Sequence, residues 1–208
     1  MIEKERKSSF IKLISFILIA IGCTLVVYKM TEPVVKEKKE NKLLEEFYKN
    51  EVILEQNQGK EEEQSLTNEE SKEDKPRFIA VLKIPKIKLE KGLYERNSKY
   101  NNIEYGIEIL ESSDSPEKES GNVILAAHAG DSIVSYFKNL KILSVGDYAT
   151  IIYNGKTYNY EITKIYEVDK TGTIPIKRDN NISTLTLITC KHKTNKQIVL
   201  IANLQNSI

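Results

Sequence analysis

Apolar residues fall into three textures along the chain. The first is a nearly unbroken run from Leu13 to Tyr28, with Phe10 and Ile11 just ahead of Lys12. In the second, Leu43, Leu44, Phe47, Tyr48, Val52 and Ile53 recur at spacings near three and four, which predicts a stalk helix from Thr31 to about Gln56. From Asn57 to Lys75 only Leu66 is large and apolar, too little to offset ordering entropy, so a flexible spacer is expected there. The third texture begins after Arg77 as short strand-like runs. They are Phe78–Ile84, halted by Pro85, then Asn122–Ala127, Tyr148–Tyr153, Lys156–Val168, Ser183–Thr189 and Gln197–Leu204. Asn154-Gly155, between two of them, is a strong two-residue hairpin signal. Only Ser132–Leu143 reads as helix, with Ile133, Tyr136, Phe137 and Leu140 on one face. These runs predict a mainly β domain of about 130 residues, a closed barrel or sandwich around one core.

The leading apolar run is slightly shorter than the roughly 20 residues of a spanning helix. Lys12 and Lys29 can snorkel at its ends. Val26-Val27-Tyr28-Lys29-Met30 offers no small-residue cleavage site, so an uncleaved anchor is expected. The organisation is then a membrane anchor over residues 1–30, stalk and charged spacer over 31–76, and the β domain over 77–208. Residues 29–77 carry 14 acidic and 10 basic side chains. Basic residues flank the anchor on both sides, with acids among them, which leaves its orientation open. Over the whole chain 31 basic residues meet 30 acidic ones, with no electrostatic footprint of a nucleic-acid binder. There are two cysteines, one of them Cys23 inside the apolar run, and two histidines. That excludes a disulfide-stapled fold and a zinc site of three or four thiolates, and no metal or other cofactor is expected.

Cys190 closes the run Thr186-Leu187-Ile188-Thr189-Cys190. A thiol at a strand end with no soluble partner is a candidate nucleophile, while a small buried hydrophobe is the competing reading. His128 sits where the Asn122–Ala127 strand gives way to a loop, in Ala126-Ala127-His128-Ala129-Gly130-Asp131. Together they suit thiol chemistry: the thiolate attacks, and the imidazole protonates a leaving amine or deprotonates an incoming one. His192, within Lys191-His192-Lys193-Thr194-Asn195-Lys196, reads as a solvated loop residue among lysines. Asp131 and Asp169 read as loop or turn residues rather than a third catalytic member.

Thr186–Cys190 resembles the TLxTC motif of sortases, the cysteine transpeptidases of Gram-positive cell envelopes. The upstream His128 resembles the sortase histidine. Tyr136-Phe137-Lys138-Asn139-Leu140, Leu143 and Val145-Gly146-Asp147 are similar to the segment downstream of that histidine in sortases. The likeness runs from about Phe78 to Leu204. It implies an eight-stranded sortase barrel with one or two short helices, behind a transmembrane helix and stalk. It also implies a two-step acyl transfer. Cys190 would attack a carbonyl in an LPxTG-like sorting signal of a surface protein. A peptidoglycan precursor or other amine acceptor would resolve the thioacyl-enzyme. His128 would serve as acid and then base, Thr189 would help position the substrate or its developing oxyanion, and Ile188 and Ala129 would lie around the substrate. The enzyme would be a single-pass membrane protein with its catalytic domain outside the cytoplasm.

Sortases carry an arginine on the strand after the cysteine. In Gln197-Ile198-Val199-Leu200-Ile201-Ala202 the matching residue is Gln197, with Lys196 beside it. The arginines are Arg6, Arg77, Arg96 and Arg178, none of them after Cys190. Gln197 is the expected replacement, with Lys196 or Arg178 as alternatives, or else activity is lost and a membrane-tethered peptide-binding module remains. The chain ends after its last strand, which argues against the pilus-polymerising type. Asp169–Asn181 is too short for the extra helix of class B, so a class D-like or unclassified member is expected. A papain-like order, cysteine before histidine, does not fit.

Overall fold

The computed structural model describes residues 2–57, 76–132 and 134–208. Beyond Asn57, the expected spacer lies outside these residues, as do Ile133 and the side chain of Ile53. One helix, α1, runs from Ile2 to Asn57. The chain divides into two compact units, residues 1–41 and 42–208.

In the first unit Phe16, Leu18, Ile19, Leu25, Val26 and Val27 are all exposed, and the helix is long and apolar enough to cross a membrane. Pro33 sits inside it and, lacking an N–H, leaves one backbone carbonyl without its helical donor.

The second unit holds the end of α1 and a single eight-stranded sheet that curls into a nearly closed barrel. Its strands are β1 (Phe78–Ile84), β2 (Leu89–Tyr94), β3 (Glu108–Ile109), β4 (Asn122–Ala126), β5 (Tyr148–Tyr153), β6 (Lys156–Asp169), β7 (Thr184–Cys190) and β8 (Lys196–Ser207). They pair in the order β2-β1-β5-β6-β8-β7-β4-β3. The two outer strands, β2 and β3, approach each other without a hydrogen-bonded ladder. All pairs are antiparallel except β4 with β7.

Alternation along the strands fills the barrel with Leu82, Leu125, Ile151, Ile162, Leu185 and Leu200. β7 is buried on both faces: Leu185 and Leu187 enter this core, while Ile188 joins Ile124, Val199 and Ile201 in a second cluster outside it. That double burial means the polar side chains of Thr184 and Thr186 must be satisfied inside the protein rather than by solvent. The hydroxyls of Thr184 and Thr186 both donate to Asn122 Oδ1, at 3.0 and 2.8 Å, and lock the β4–β7 register.

The Asn154-Gly155 hairpin forms as expected, with φ of 50° and 71° at the two turn residues, the signs a type I′ turn requires. β2 carries no clear strand pattern in sequence, and its Gly92 has a packing cause. A Cβ there would fall 2.1 Å from the Phe78 ring.

One expectation is corrected. Ser132–Leu143 is not an α-helix but a chain of turns ending in a short 3-10 turn at Leu140–Ile142. Its amides bond three residues back, as Lys138 to Ser135, Leu140 to Phe137 and Leu143 to Leu140. Ser132 and Ser135 bond each other, and Val134 is β-branched, all features that favour turns over helix. Phe137 is fully buried and its amide donates to His128 O, so tertiary packing rather than helical periodicity set the apolar spacing.

The expected helix over the stalk forms, and its apolar stripe has a partner within the second unit. Leu43, Leu44, Phe47 and Tyr48 pack on the outer face of the barrel against Phe78, Val81, Tyr94 and Ile152. Phe47 is 5% exposed, whereas Val52 is half exposed and lies off this face. The Tyr48 hydroxyl donates to Glu90 at 2.6 Å, and the Gly155 amide donates to Glu51.

Candidate active site

The site is assembled at the ends of three neighbouring strands. Cys190 is the last residue of β7 and is partly buried. Across the antiparallel ladder its register partner is Gln197, the second residue of β8. Directly opposed residues share a face with Cβ atoms about 4.5–5.5 Å apart, so Gln197 is the cross-strand neighbour of the thiol. By alternation both lie on the face of Ile188 and Val199.

His128 arrives from the other side. The parallel register pairs Ala126 with Ile188, and the Ala127 amide donates to Ile188 O at 3.3 Å. The buried Thr189 hydroxyl then donates to Ala127 O at 2.7 Å, tying the end of β4 to β7 one residue before His128. His128 O in turn accepts from the amide of the buried Phe137 at 3.0 Å. Backbone bonds therefore hold His128 on both sides, beside the strand that carries Cys190. Its Nε2 lies 3.4 Å from Glu104 Oε1, an exposed carboxylate in the loop before β3.

The remaining expected residues separate. Ile188 is 4% exposed and belongs to the second cluster. Ala129 and Thr189 line a groove of about 590 Å³ that opens beside Cys190. His192 is exposed on its rim, with Nε2 3.6 Å from Asp131 Oδ2. Lys138 also binds Asp131, at 2.8 Å, and that ion pair is the main reason the Asp131 carboxyl sits below the usual carboxylate range. Asp169 faces Lys196 in register at the end of β6.

Arg178 and Lys196 do not reach the site. The Arg178 guanidinium donates to Ser120 O, Gly121 O, Ile182 O and the Thr184 hydroxyl, at the opposite end of β7. Six residues of strand separate that end from Cys190, about 20 Å. Lys196 pairs with Glu167 at 3.7 Å, on the face away from Gln197. Arg77 and Arg96 are engaged near β2, with Glu95 and with Ser113 O. Among the described residues no guanidinium stands beside Cys190, no disulfide forms, and no three potential ligands converge on a metal site.

Glu104 and the lysines of the groove carry no sequence signal. Glu104 sits in a polar loop, and its partner is fixed only by the fold.

Residues 82–205 match the family model for the sortase domain. Among solved structures, sortase A of Corynebacterium diphtheriae, in a lid-mutant form, superposes with a TM-score of 0.57 at 24% identity, over 64% of this chain and 72% of that one. A Clostridium perfringens sortase D5 transpeptidase gives 0.59 at 23% identity, over 80% of this chain and 98% of the other. Sortase C-1 of Actinomyces oris gives 0.54 at 26%, over 61% and 72%. No curated protein sequence matches the chain. With an eight-stranded sortase barrel and a domain match over more than half its length, the chain belongs to the sortase family, whose members are cysteine transpeptidases.

Proposed function

We propose that this chain is a membrane-anchored cysteine transpeptidase. It cleaves an LPxTG-like sorting signal through a thioacyl-enzyme and transfers the protein to a cell-wall amine. The observation that carries the reading is the three-strand juxtaposition: Cys190 opposite Gln197 in register, with His128 fastened to the neighbouring strand through Thr189.

Each residue has a distinct task. The Cys190 sulfur attacks the scissile carbonyl, a C–S bond forms, and negative charge develops on the carbonyl oxygen. Gln197, on the thiol's own face, donates an amide N–H to that oxyanion. His128 protonates the departing amine as the C–N bond breaks. In the second step an acceptor amine attacks the thioester and His128 takes its proton. The C–S bond then breaks and the thiol is restored. Thr189 uses its single hydroxyl proton on Ala127 O, so it holds His128's strand rather than stabilising the oxyanion. The apolar run of α1 holds the enzyme at the membrane, with the barrel outside the cytoplasm.

One observation favours a second reading, a sortase-fold peptide-binding module without turnover: no guanidinium reaches the thiol among the described residues. The two separate on one experiment. The full chain in neutral detergent is incubated with an LPxTG-like peptide library and analysed by intact mass. A thioacyl adduct that vanishes in both Cys190→Ala and His128→Ala supports the transpeptidase. Peptide binding without any adduct sinks it.

A further inference from the structure

The two-step transfer needs one imidazole to meet an amine twice, so the way its ring is turned matters. The bonds through Thr189 and Phe137 hold the main chain around His128 but do not set the rotation of the ring. The side chain that meets the ring is Glu104, whose Oε1 lies 3.4 Å from Nε2. Asp131, much nearer in sequence, is taken by Lys138 and His192.

Glu104 sits on a built loop between β2 and β3. Asn101 fastens that loop to β3: its Oδ1 accepts from the Ile109 amide at 2.7 Å, and its Nδ2 donates to Ile109 O at 2.9 Å. Asn102 shapes the next turn. Its Oδ1 accepts from the Glu104 amide at 2.9 Å, and its carbonyl accepts from the amides of Tyr105 and Gly106. An Asx turn of this kind fixes the backbone over the residues that follow the asparagine. Beyond Glu104 the chain is pinned by Ile107, 1% exposed in the barrel core. A run of rings from Phe78 through Tyr94 and Tyr100 to Tyr105, with centroids 4.9, 5.5 and 6.0 Å apart, ties the same loop to β1 and β2. The main chain of Glu104 is therefore held on both sides, and its carboxylate is presented to His128.

Resting on the transpeptidase reading, we propose that Glu104 is a positioning residue: it accepts the Nε2–H of His128 and leaves Nδ1 to exchange protons with the reacting groups. An ionised carboxylate only accepts, so the ring nitrogen that it meets must carry a proton. Nδ1 is then the nitrogen that passes the thiol proton to the departing amine as the C–N bond breaks. In the second step it takes the acceptor amine's proton and returns it to sulfur as the C–S bond breaks. The 3.4 Å separation is long, and catalytic hydrogen bonds commonly tighten once substrate fills the site.

The chain has two histidines, so ¹⁵N-histidine labelling of the full chain in neutral detergent gives two ring signatures, and His192→Asn assigns them. With the ring neutral, the parent should carry its His128 proton on Nε2. Glu104→Gln keeps an acceptor and should match the parent. Glu104→Lys offers only donors and should move the proton to Nδ1. In turnover of an LPxTG-like peptide with hydroxylamine, Glu104→Ala should lower kcat about two- to fivefold, the range of an exposed ion pair, because the Glu104 side chain is 71% exposed. KM should stay unchanged, glutamine should recover most of the loss, and lysine should be slowest. A ring signature indifferent to Glu104→Lys, or a loss carried by KM, overturns the proposal. If the signature responds as expected but no thioacyl-enzyme ever forms, the transpeptidase reading fails while the hold of Glu104 on the ring stands.

Discussion

The oxyanion role proposed for Gln197 can be weighed by substitution. Gln197 stands opposite Cys190 in the β7–β8 ladder, with Cβ atoms about 4.5–5.5 Å apart. A side chain placed there reaches an oxygen bound next to the thiol. Losing a single oxyanion donor costs about 2.7–4 kcal/mol, so Gln197→Ala should slow acylation by about 10²- to 10³-fold. Gln197→Arg converts a neutral hydrogen bond worth about 0.5–1.5 kcal/mol into a charge-assisted one worth about 1.5–3. The gain of about 1–1.5 kcal/mol predicts acylation about five- to thirteenfold faster than with glutamine. Gln197→Glu keeps the shape but replaces the donor with an anion, and should fall below alanine.

The assay is single-turnover: enzyme in excess over an LPxTG-like peptide, acid quench, and thioacyl adduct counted by intact mass. The order Arg, Gln, Ala, Glu from fast to slow is the signature of an oxyanion donor. A packing role gives a different order, with Glu close to Gln and the bulkier Arg slowest. That second order, or an alanine variant within about twofold of the parent, refutes the assignment.

The same geometry sets other outcomes. Thr189→Val removes the donor to Ala127 O from a buried site and should cost about 1–3 kcal/mol in urea unfolding. Because it frees His128's strand, it should lower kcat far more than it raises KM; equal changes in both would remove Thr189 from the positioning role. Phe47→Ala empties the contact of α1 with Phe78 and Val81 and should cost about 3 kcal/mol. For a unit of this size that lowers Tm by about 6–12 °C, and an unchanged Tm would mean that the helix is not docked. Acid should destabilise the barrel. Hydrogen bonds from Tyr48 to Glu90 and from Lys86 to Asp147, with Lys83 and the Ser144 amide adding to them, hold both carboxyls below their usual range. A depressed folded value contributes stability above the unfolded pKa of about 4 and loses it as pH falls through the folded one. Tm should therefore be level above about pH 5 and drop below about pH 4. Asp147→Asn should make that drop shallower, and an identical acid profile would refute the contribution.

The part of the structure legible in the sequence is local. Phe78–Ile84 and Tyr148–Tyr153 emerge at the bounds expected from apolar runs and turn residues, and Asn154-Gly155 fixes its hairpin through backbone conformation alone. Cys190 and His128 stand out because one ends a strand and the other follows a strand end by two residues, and each strand is defined by its own composition. β2 and β3 escape such a reading. Gly92 interrupts one for the sake of the Phe78 ring, and the other is two residues long. Ser132–Leu143 misleads because Phe137 and Leu140 are spaced to meet the barrel core, not to line a helix. Glu104 and the exclusion of Arg178 depend on contacts between segments distant in sequence. The choice among Gln197, Lys196 and Arg178 is one of strand parity and of which end of β7 a side chain occupies. Neither is written in any single stretch of residues.

Under the proposed membrane anchoring, the apolar stripe of α1 bears on how the barrel is tethered. Taken as a free stalk, residues 31–76 would all lie between membrane and barrel, and the acidic spacer would set the reach. Leu43, Leu44, Phe47 and Tyr48 instead lie on the barrel wall, so the helix from Lys42 onward belongs to the same unit as β1. Residues 58–75 then join two segments of one unit. Under the proposed anchoring their length does not set the reach of the barrel, and the stretch between the apolar run and Lys42 does. Deleting residues 60–70 should leave access to a membrane-proximal substrate unchanged. An insertion of equal length near residue 38 should alter it, as measured by transfer to an acceptor held in the same vesicles. If the spacer deletion is the change that matters, the helix is not docked in the membrane-bound enzyme.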